Sequence, residues 1–397
     1  MGIFKKNSSL IQTYSRMEVS MDHGMGCWLY DKNGKKYLDA LSGIAVNTLG
    51  HSHPKFVSAI TDQVQKLIHT SNLYQIPLQE NLANELVKIS NMDLAFFCNS
   101  GLEANETAIK IARKFGHSLG YSSPKIIVFE KSFHGRSIAT ISASSNPMMK
   151  KGFEPLLDGF IRVPLNDLEA INKNSAKHKE ICAVFIETIQ GEGGINIPED
   201  SFIKKLRKIC DENNWLLIMD EVQCGMGRTG KWFAFEWNNI KPDIVPLAKG
   251  LGSGIPVGAV LTSKNTGNLL GPGSHGTTFG GNPLAMRAGL ETLSIVREEN
   301  LLLNAQIRGK QLIKNLENIL SGTNGVIDIR GRGLMVGIEL HRSCKELAKV
   351  ALNDGLLINV TESNIIRLLP PLIINSTEVN FLTDKLGSII KNFLTNN

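Results

Sequence analysis

Short apolar segments alternate with helical segments through the middle of the chain, and this alternation constrains the fold more than any other feature. The apolar segments span residues 125–129, 181–186, 215–219 and 257–262 and are rich in Ile and Val. Strands of this kind, separated by helices, are typical of a parallel sheet that is covered on both faces. We therefore predict an α/β fold built on a mostly parallel sheet.

The helical pattern and its change near the C-terminus predict how the chain divides into domains. Helices are predicted over residues 105–115, 200–213 and 284–320. After Gly322 the pattern becomes strands at 326–329 and 334–340, a helix near 344–353 and a last helix over 377–393. We predict a large domain over residues 51–321 and a smaller α+β domain over 322–397. An N-terminal segment, residues 1–50, is expected to pack with the smaller domain.

Composition excludes several classes of protein. The 397 residues are 42% hydrophobic and 20% charged, which is typical of a large soluble globular chain. The net charge of +6 is spread along the sequence, so nucleic-acid binding is not indicated. No apolar run reaches the roughly 20 residues of a membrane helix, and Lys5 and Lys6 precede no apolar core. We expect a cytoplasmic protein whose six isolated cysteines are free, reduced thiols.

The first candidate ligand-binding segment is residues 99–106. A strand-like run at 94–98 ends there in a small turn, and a helix begins. Free backbone N–H groups at a helix N-terminus form a site for phosphate. The alternative is an ordinary strand-to-helix turn in which Asn99 or Ser100 caps the helix. The segment alone leaves both interpretations open.

Asp220 and Lys249 each follow an apolar strand-like run. Asp220 ends the run at 215–219, where a carboxylate among apolar neighbours needs a cation unless it serves as a cap or surface acid. Lys249 enters a glycine-rich turn from an apolar approach. A lone lysine usually extends to water, but partial desolvation would suit a Schiff-base lysine.

Three further clusters combine glycine with polar residues, at 132–136, 190–194 and 275–283, as expected where backbone lies close to a ligand. His51 and His53 have no further ligands at supporting spacing, so we interpret them as part of a solvated turn and predict no metal site. A phosphate-binding GxxxxGK[ST] motif is absent from the sequence, and Gly331 and Gly333 lack a third glycine. The sequence therefore does not indicate a nucleotide cofactor.

Together, these motifs resemble those of the class III, ornithine-type aminotransferases, and most closely the members that act on acetylornithine. The resemblance runs from Leu38 and Asp39, through the motif at 50–54, to the Ile-Arg-Leu-Leu-Pro-Pro motif at 366–371. It implies the fold type I of pyridoxal-phosphate enzymes, with a seven-stranded, mostly parallel sheet. It also implies pyridoxal 5'-phosphate as the cofactor and a homodimer with shared active sites.

The resemblance assigns roles at the cofactor. Lys249 would bind pyridoxal phosphate covalently and carry a proton during the reaction, while Asp220 would pair with the ring nitrogen. Gly101 and Leu102 would donate backbone N–H groups to the phosphate. Many family members carry Thr or Ala where this chain has Leu102, so a backbone contact survives and a hydroxyl contact does not.

The remaining cofactor contacts implied by the resemblance involve the two ring faces, the ring hydroxyl and the second subunit. They are Phe133 on one face, Val222 on the other, Gln223 near the hydroxyl, and Thr278, which would reach the phosphate bound by the neighbouring subunit.

Substrate choice would depend on two arginines and one acid. Arg136 would bind the carboxylate far from the reacting amine, and Arg367 would bind a carboxylate near the reacting carbon. Glu192 would neutralise Arg367 when the substrate has no carboxylate there. Gly43 stands where ornithine aminotransferases carry a tyrosine that engages the free α-amine, so an acylated nitrogen is expected.

The expected reaction converts N-acetylornithine and 2-oxoglutarate into N-acetylglutamate 5-semialdehyde and glutamate, a step of arginine biosynthesis. Succinylornithine, N-succinyl-diaminopimelate, ornithine and 4-aminobutyrate remain alternative donors. A non-catalytic ligand-binding regulator is the alternative from a different class. The joint presence of Lys249, Asp220, Arg136, Glu192 and Arg367 argues against it, because a silent relative would be free to lose them.

Overall fold

The computed structural model describes residues 9–395. Residues 1–8, which include Lys5 and Lys6, and residues 396–397 lie outside the described part of the chain. The strands are β1 (Met21–Met25), β2 (Trp28–Asp31), β3 (Lys36–Asp39), β4 (Leu94–Cys98), β5 (Lys125–Phe129), β6 (Phe160–Val163), β7 (Ile181–Glu187), β8 (Leu216–Asp220), β9 (Ile244–Leu247), β10 (Gly258–Thr262), β11 (Val326–Arg332), β12 (Met335–Leu340), β13 (Leu356–Leu357), β14 (Asn359–Thr361) and β15 (Ile365–Leu368).

The helices are α1 (Ser42–Ala45), α2 (Pro54–Lys66), α3 (Pro77–Ser90), α4 (Gly101–Ser118), α5 (Ile138–Ala143), α6 (Leu168–Lys177), α7 (Asp200–Asn213), α8 (Lys264–Gly267), α9 (Pro283–Glu298), α10 (Leu301–Leu320), α11 (Leu347–Asn353) and α12 (Ser376–Thr395). Short 3-10 turns cover Pro147–Met149, Ala234–Asn238 and Lys249–Leu251.

A seven-stranded sheet in the order β4-β10-β9-β8-β7-β5-β6 forms the centre of the molecule. Neighbouring strands from β9 to β6 run parallel, whereas β10 is antiparallel to both β4 and β9. Strand β7 is buried at every position. Its residues Ala183 and Phe185 pack in one apolar cluster, and Val184 and Ile186 pack in another. Both faces of the sheet are therefore covered, and the predicted α/β fold with a mostly parallel sheet is confirmed.

Two smaller sheets lie outside the central one, with strand orders β1-β2-β3-β13 and β11-β12-β15-β14. Strand β3 pairs in parallel with β13, with Leu38 opposite Leu356, so N-terminal and C-terminal segments share a sheet. Leu38, Ile366 and Leu382 belong to one apolar cluster, which also includes buried residues of α10. The proposed domain boundaries at residues 50 and 321 stay a prediction.

The prediction of one helix over residues 284–320 is wrong, because α9 ends at Glu298 and α10 begins at Leu301. Asn300 between them has a φ of 53°, in the left-handed region that asparagine tolerates better than most residues. Leu293 of α9 packs against the central sheet. Leu312 of α10 packs in the cluster that contains Leu38, Ile366 and Leu382. The turn thus directs the chain from one core to the other.

The predicted solvated turn at His51 and His53 is also wrong. The His51 side chain is 15% exposed and its Nε2 lies 2.8 Å from Oδ2 of Asp39. His53 Nε2 lies 3.2 Å from Oε1 of Glu299. His51 is therefore attached to the end of β3, and His53 is attached to a residue that is remote in sequence.

Three findings concern thiols, metals and membranes. All six cysteines are free and buried. Between residues 9 and 395, no group of three or more His, Cys, Asp or Glu side chains is arranged to hold a metal ion. Within the same residues, no helix combines the length and apolar character needed to cross a membrane.

Candidate active site

A cavity of about 370 Å³ lies at the carboxyl edge of the central sheet, where ligands bind in open α/β folds. Eight of the predicted site residues line it: Gly101, Leu102, Phe133, Arg136, Asp220, Val222, Gln223 and Lys249. Asp220 is the last residue of β8, and the other seven come from the segments that follow β4, β5, β8 and β9. A larger cavity of about 700 Å³, between residues 230–241 and 296–306, contains none of the predicted residues.

Lys249 lies at the end of the β9 segment and lines the cavity. Its φ of 43° lies in the left-handed region, which is strained for a residue with a side chain and is often found at functional sites. Burial lowers the pKa of the Lys249 amine, and the charge of Arg367 lowers it further, against the opposing effect of nearby carboxylates. A larger fraction of neutral amine follows, and a neutral amine is nucleophilic.

Asp220 ends β8 and is 4% exposed. Its Oδ2 accepts hydrogen bonds from Nδ2 of Asn105 at 2.8 Å and from Nδ1 of His134 at 2.9 Å. Its Oδ1 accepts a hydrogen bond from the backbone N–H of Val222 at 3.0 Å. Three donors from three segments therefore hold this carboxylate in one orientation.

Sequence reasoning assigned no role to His134, Asn105 or Glu187, which all line the cavity. Glu187 ends β7 as Asp220 ends β8, and that shared strand-end position was the available signal. The Glu187 carboxylate accepts hydrogen bonds from the N–H groups of Phe133 at 2.8 Å and Gly191 at 3.0 Å. Burial, with the charge of Asp220, raises the pKa of Glu187 to about 8.

Helix α4 begins at the rim of the cavity. The Ser100 side chain accepts a hydrogen bond from the N–H of Glu103, so the capping interpretation is correct. The N–H groups of Gly101 and Leu102 have no acceptor among the described residues. A Cβ at Gly101 would lie 2.5 Å from Cγ1 of Val222, so glycine is required for this close approach. The Ser100 cap leaves the N–H groups of Gly101 and Leu102 free, so the N-terminus of the helix can still bind an anion.

Arg367 on β15 is fully buried beside the cavity. Its Nη1 donates to Oε1 of Glu192 at 2.8 Å and to Oε1 of Gln223 at 3.2 Å. The Glu192 side chain is 38% exposed, whereas that of Arg367 is 1% exposed. The predicted acid and arginine are thus brought together as an ion pair.

The environment of Arg136 differs from that of Arg367. Its guanidinium lies 5.9 Å from the centroid of the Phe133 ring, and no described residue forms an ion pair or hydrogen bond with it. The side chain lines the cavity and is exposed. A free guanidinium in this position can bind a carboxylate from solution.

Gly43 and Thr278 do not line the cavity. Gly43 lies in a run of four residues, Ser42 to Ala45, that all have positive φ, so α1 is a left-handed turn. Val46, which follows this turn, does line the cavity. Thr278 is exposed on the surface. The roles assigned to both residues stay predictions.

The fold and cavity together define an α/β enzyme with a partly buried lysine and a buried carboxylate at the strand ends, and two arginines beside them. The chain belongs to the class III aminotransferases, because the family model "Aminotransferase class-III" matches residues 11–390. It is therefore an enzyme, and its reaction is the transfer of an amino group.

The sequences of two relatives agree with this membership. The acetylornithine aminotransferase of Nitrosomonas europaea is 50% identical over 98% of each chain. That of Aquifex aeolicus is 46% identical over 97% of this chain and 99% of the relative.

Two solved structures show the same fold. The ornithine aminotransferase of Toxoplasma gondii is 31% identical, with a TM-score of 0.94 over 98% of this chain and 94% of that one. The N-acetylornithine aminotransferase of Stenotrophomonas maltophilia is 33% identical, with a TM-score of 0.84 over 97% of this chain and 99% of that one.

Proposed function

We propose that this enzyme transfers the terminal amino group of N-acetylornithine to 2-oxoglutarate, with pyridoxal 5'-phosphate as cofactor. The Arg367–Glu192 ion pair beside Lys249 and Asp220 carries this proposal. A dicarboxylate acceptor needs a cation near the reacting carbon, and an ω-amine donor needs that cation neutralised. Relatives 43–50% identical that are named acetylornithine aminotransferases support the choice of donor.

The residues present fit pyridoxal phosphate. The free N–H groups of Gly101 and Leu102 suit its phosphate, and Asn105 Oδ1, at the same cavity, is a buried polar atom without a partner among the described residues. Lys249 offers an amine of lowered pKa to the aldehyde of the cofactor. When bound, pyridoxal phosphate supplies an electron sink.

The protein would control protons and charges around that cofactor. Asp220, already oriented by three donors, would hold a proton on the ring nitrogen. The Lys249 amine would carry a proton between the substrate carbon that bears the reacting amine and C4′ of the cofactor. Phe133 and Val222 would orient the ring, and Gln223 would lie near its hydroxyl.

Two arginines would then bind two differently shaped substrates. Arg136 would hold the carboxylate that is far from the reacting carbon in both substrates. Arg367 would bind the second carboxylate of 2-oxoglutarate or glutamate after Glu192 leaves it. With N-acetylornithine bound, Glu192 would remain on Arg367, so no buried charge is left unpaired.

A screen of amino donors tests this proposal. The purified holoenzyme would be mixed with N-acetylornithine, succinylornithine, N-succinyl-diaminopimelate, ornithine or 4-aminobutyrate, and the cofactor absorbance followed in a single half-reaction. We expect N-acetylornithine to react with the largest second-order rate constant. A larger rate constant for another donor would make that donor the substrate, and no reaction with any of the five would show that the donor lies outside this set.

We also propose a homodimer in the cytoplasm, with Thr278 completing the phosphate site of the neighbouring subunit. Its exposure supports a role outside its own cavity. Thr278→Ala should weaken cofactor retention by roughly 1 to 3 kcal/mol, the contribution of a hydrogen bond to a charged group. Cofactor release during dialysis measures this effect. A fully active monomer in sedimentation experiments would contradict the shared site.

A further inference from the structure

The guanidinium of Arg367 is held by two neutral acceptors, the amide oxygens of Gln223 and Asn359, in addition to its ion pair. Nε donates to Oδ1 of Asn359 at 3.0 Å, on the side away from the Nη1 atom that meets Glu192. Arginine has donors and no acceptor, so the amide oxygen of Asn359 must face it. Nη2 donates to no side chain or carbonyl within the described chain.

The position of Asn359 is fixed by the backbone. Strands β14 and β15 are antiparallel, and Asn359 is directly opposite Arg367 in their register. Residues directly opposite each other in such a pair have neighbouring side chains. The contact between them therefore does not depend on where Glu192 lies.

Glu192 has a fixed backbone and an accessible side chain. Its carbonyl oxygen accepts a hydrogen bond from Oγ1 of Thr361, which is on the same strand as Asn359. Its carboxylate is partly exposed and meets Arg367 only through Nη1. The carboxylate can leave by rotation of the side chain, while the backbone of the loop stays attached to β14.

We propose that Asn359 is a positioning residue that keeps the Arg367 guanidinium directed at the substrate through both halves of the reaction. This inference rests on the proposed function. With Nε held by Asn359, Nη2 and the Nη1 hydrogen that Glu192 gives up become available for a bidentate bond to the substrate carboxylate, while Gln223 can keep its own bond to Nη1. A neutral amide suits this role, because a carboxylate at position 359 would pair with Arg367 permanently and compete with the substrate.

Binding of glutarate, an unreactive five-carbon dicarboxylate, tests the inference without turnover. Calorimetry with the holoenzyme should show binding to the wild type and about tenfold weaker binding to Asn359→Ala, since a hydrogen bond that orients a charged group is lost. Asn364→Ala is the matched control, because Asn364 lies between β14 and β15 and bonds the carbonyl of Leu340 instead. We expect the control to bind glutarate as the wild type does.

Half-reaction kinetics supply the second measurement. Asn359→Asp nearly preserves shape, so it decides the matter even if Asn359→Ala does not fold. In Asn359→Asp, the rate of the glutamate half-reaction should fall by a factor at least roughly tenfold larger than that of the N-acetylornithine half-reaction. The reason is that the new carboxylate competes only with a substrate carboxylate for Arg367. In the double variant Glu192→Ala/Asn359→Asp, the new charge should restore much of the N-acetylornithine half-reaction lost in Glu192→Ala.

The outcomes separate this inference from the proposed function. If the wild type does not bind glutarate, the proposed dicarboxylate site fails, and the role of Asn359 fails with it. If the wild type binds glutarate and Asn359→Ala binds it equally well, the positioning role alone is overturned. Equal losses in both half-reactions of Asn359→Asp would also overturn it, since a structural defect has no preference between substrates.

Discussion

Two carboxylates serve the same cavity in opposite ways. Asp220 is 4% exposed and accepts three hydrogen bonds from side chains and backbone at the strand ends of the central sheet. Glu192 lies in a loop with its side chain 38% exposed, and it meets Arg367 through a single oxygen. One acid is locked by its surroundings, whereas the other is free to leave its partner.

This difference corresponds to what each region must do. A cofactor remains in the site throughout, so the acid that serves it benefits from a rigid, preorganised environment. The substrates alternate between one and two carboxylates, so the charge near Arg367 must change between half-reactions. The fixed region, which contains Asp220 and Lys249, therefore lies at the ends of buried strands. The exchangeable region, which contains Glu192 and Arg367, joins a loop to the small sheet that contains β14 and β15.

The largest expected effect is on the fixed region. Lys249→Ala should abolish both half-reactions while the protein still binds cofactor non-covalently, because the amine serves both directions of proton transfer. Single-turnover absorbance measures the loss. Borohydride treatment of the wild type followed by peptide mapping should find the cofactor on Lys249, and a label on another lysine would contradict the assignment.

A smaller and one-sided effect is expected in the exchangeable region. Glu192→Ala should slow the N-acetylornithine half-reaction by about 100-fold, or about 2.7 kcal/mol, because Arg367 is left as an unpaired buried charge. The glutamate half-reaction should hold or improve, since the competing carboxylate is gone. Stopped-flow measurement of each half-reaction tests this asymmetry. Equal losses would mean that Glu192 is structural and that the two regions do not differ.

The fixed region was largely predictable from the sequence, and the reason is local. Strands β7, β8 and β9 are apolar because both faces of the sheet are covered, so Asp220 and Lys249 stand out where the apolar runs end. Glu187 carries the same signal, but a single acid that completes a strand is not conspicuous. The break at Asn300 left no glycine or proline to mark it.

The exchangeable region was predictable only through family resemblance. Asn359 meets Arg367 because β14 and β15 pair in one particular register, and no local pattern reveals that register. His53 likewise meets Glu299, which is 246 residues away in the chain, and His51 meets Asp39 of the neighbouring strand β3. Such contacts are decided by packing of the whole molecule, so sequence patterns did not indicate them.

Glu187 connects the two regions, and its titration should sharpen the comparison. It bonds the N–H of Phe133 on one side and that of Gly191, next to Glu192, on the other. Its pKa is about 8 in the folded protein, against 4.5 for an ordinary glutamate. Between these two values unfolding releases a proton, so the stabilising effect present at low pH is lost as pH rises toward 8.

The measurement for Glu187 is denaturant unfolding across pH 5.5 to 7.5. The free energy of unfolding of the wild type should fall by up to about 1.4 kcal/mol per pH unit because of this group. Glu187→Gln should remove that contribution to the dependence of the unfolding free energy on pH. An unchanged slope in the variant would show that Glu187 is ionised in the folded protein, and that two charged carboxylates lie together at the strand ends.

The smallest expected effect concerns Gly43, in the left-handed turn of α1 that leads to Val46 at the cavity. We expect N-acetylornithine to exceed ornithine in kcat/KM by roughly tenfold, because a glycine at position 43 offers no side-chain partner to the charged α-ammonium of ornithine. Gly43→Tyr should narrow this ratio by offering a hydroxyl to the ammonium and crowding the acetyl group. A Cβ at position 43 would lie 3.4 Å from Nδ2 of Asn47 and 3.4 Å from Cβ of Val46, so the first side-chain atom has room.

Backbone strain must be separated from recognition in this experiment. Gly43 has a φ of 66°, where any other residue costs about 1 kcal/mol or more. Gly43→Ala is the matched control, because it carries the same strain without the hydroxyl and should slow both donors alike. Stopped-flow rates with each donor then report the ratio for the three proteins. If Gly43→Tyr and Gly43→Ala give the same ratio as the wild type, position 43 does not read the α-nitrogen, and the preference for an acylated donor must arise elsewhere in the cavity.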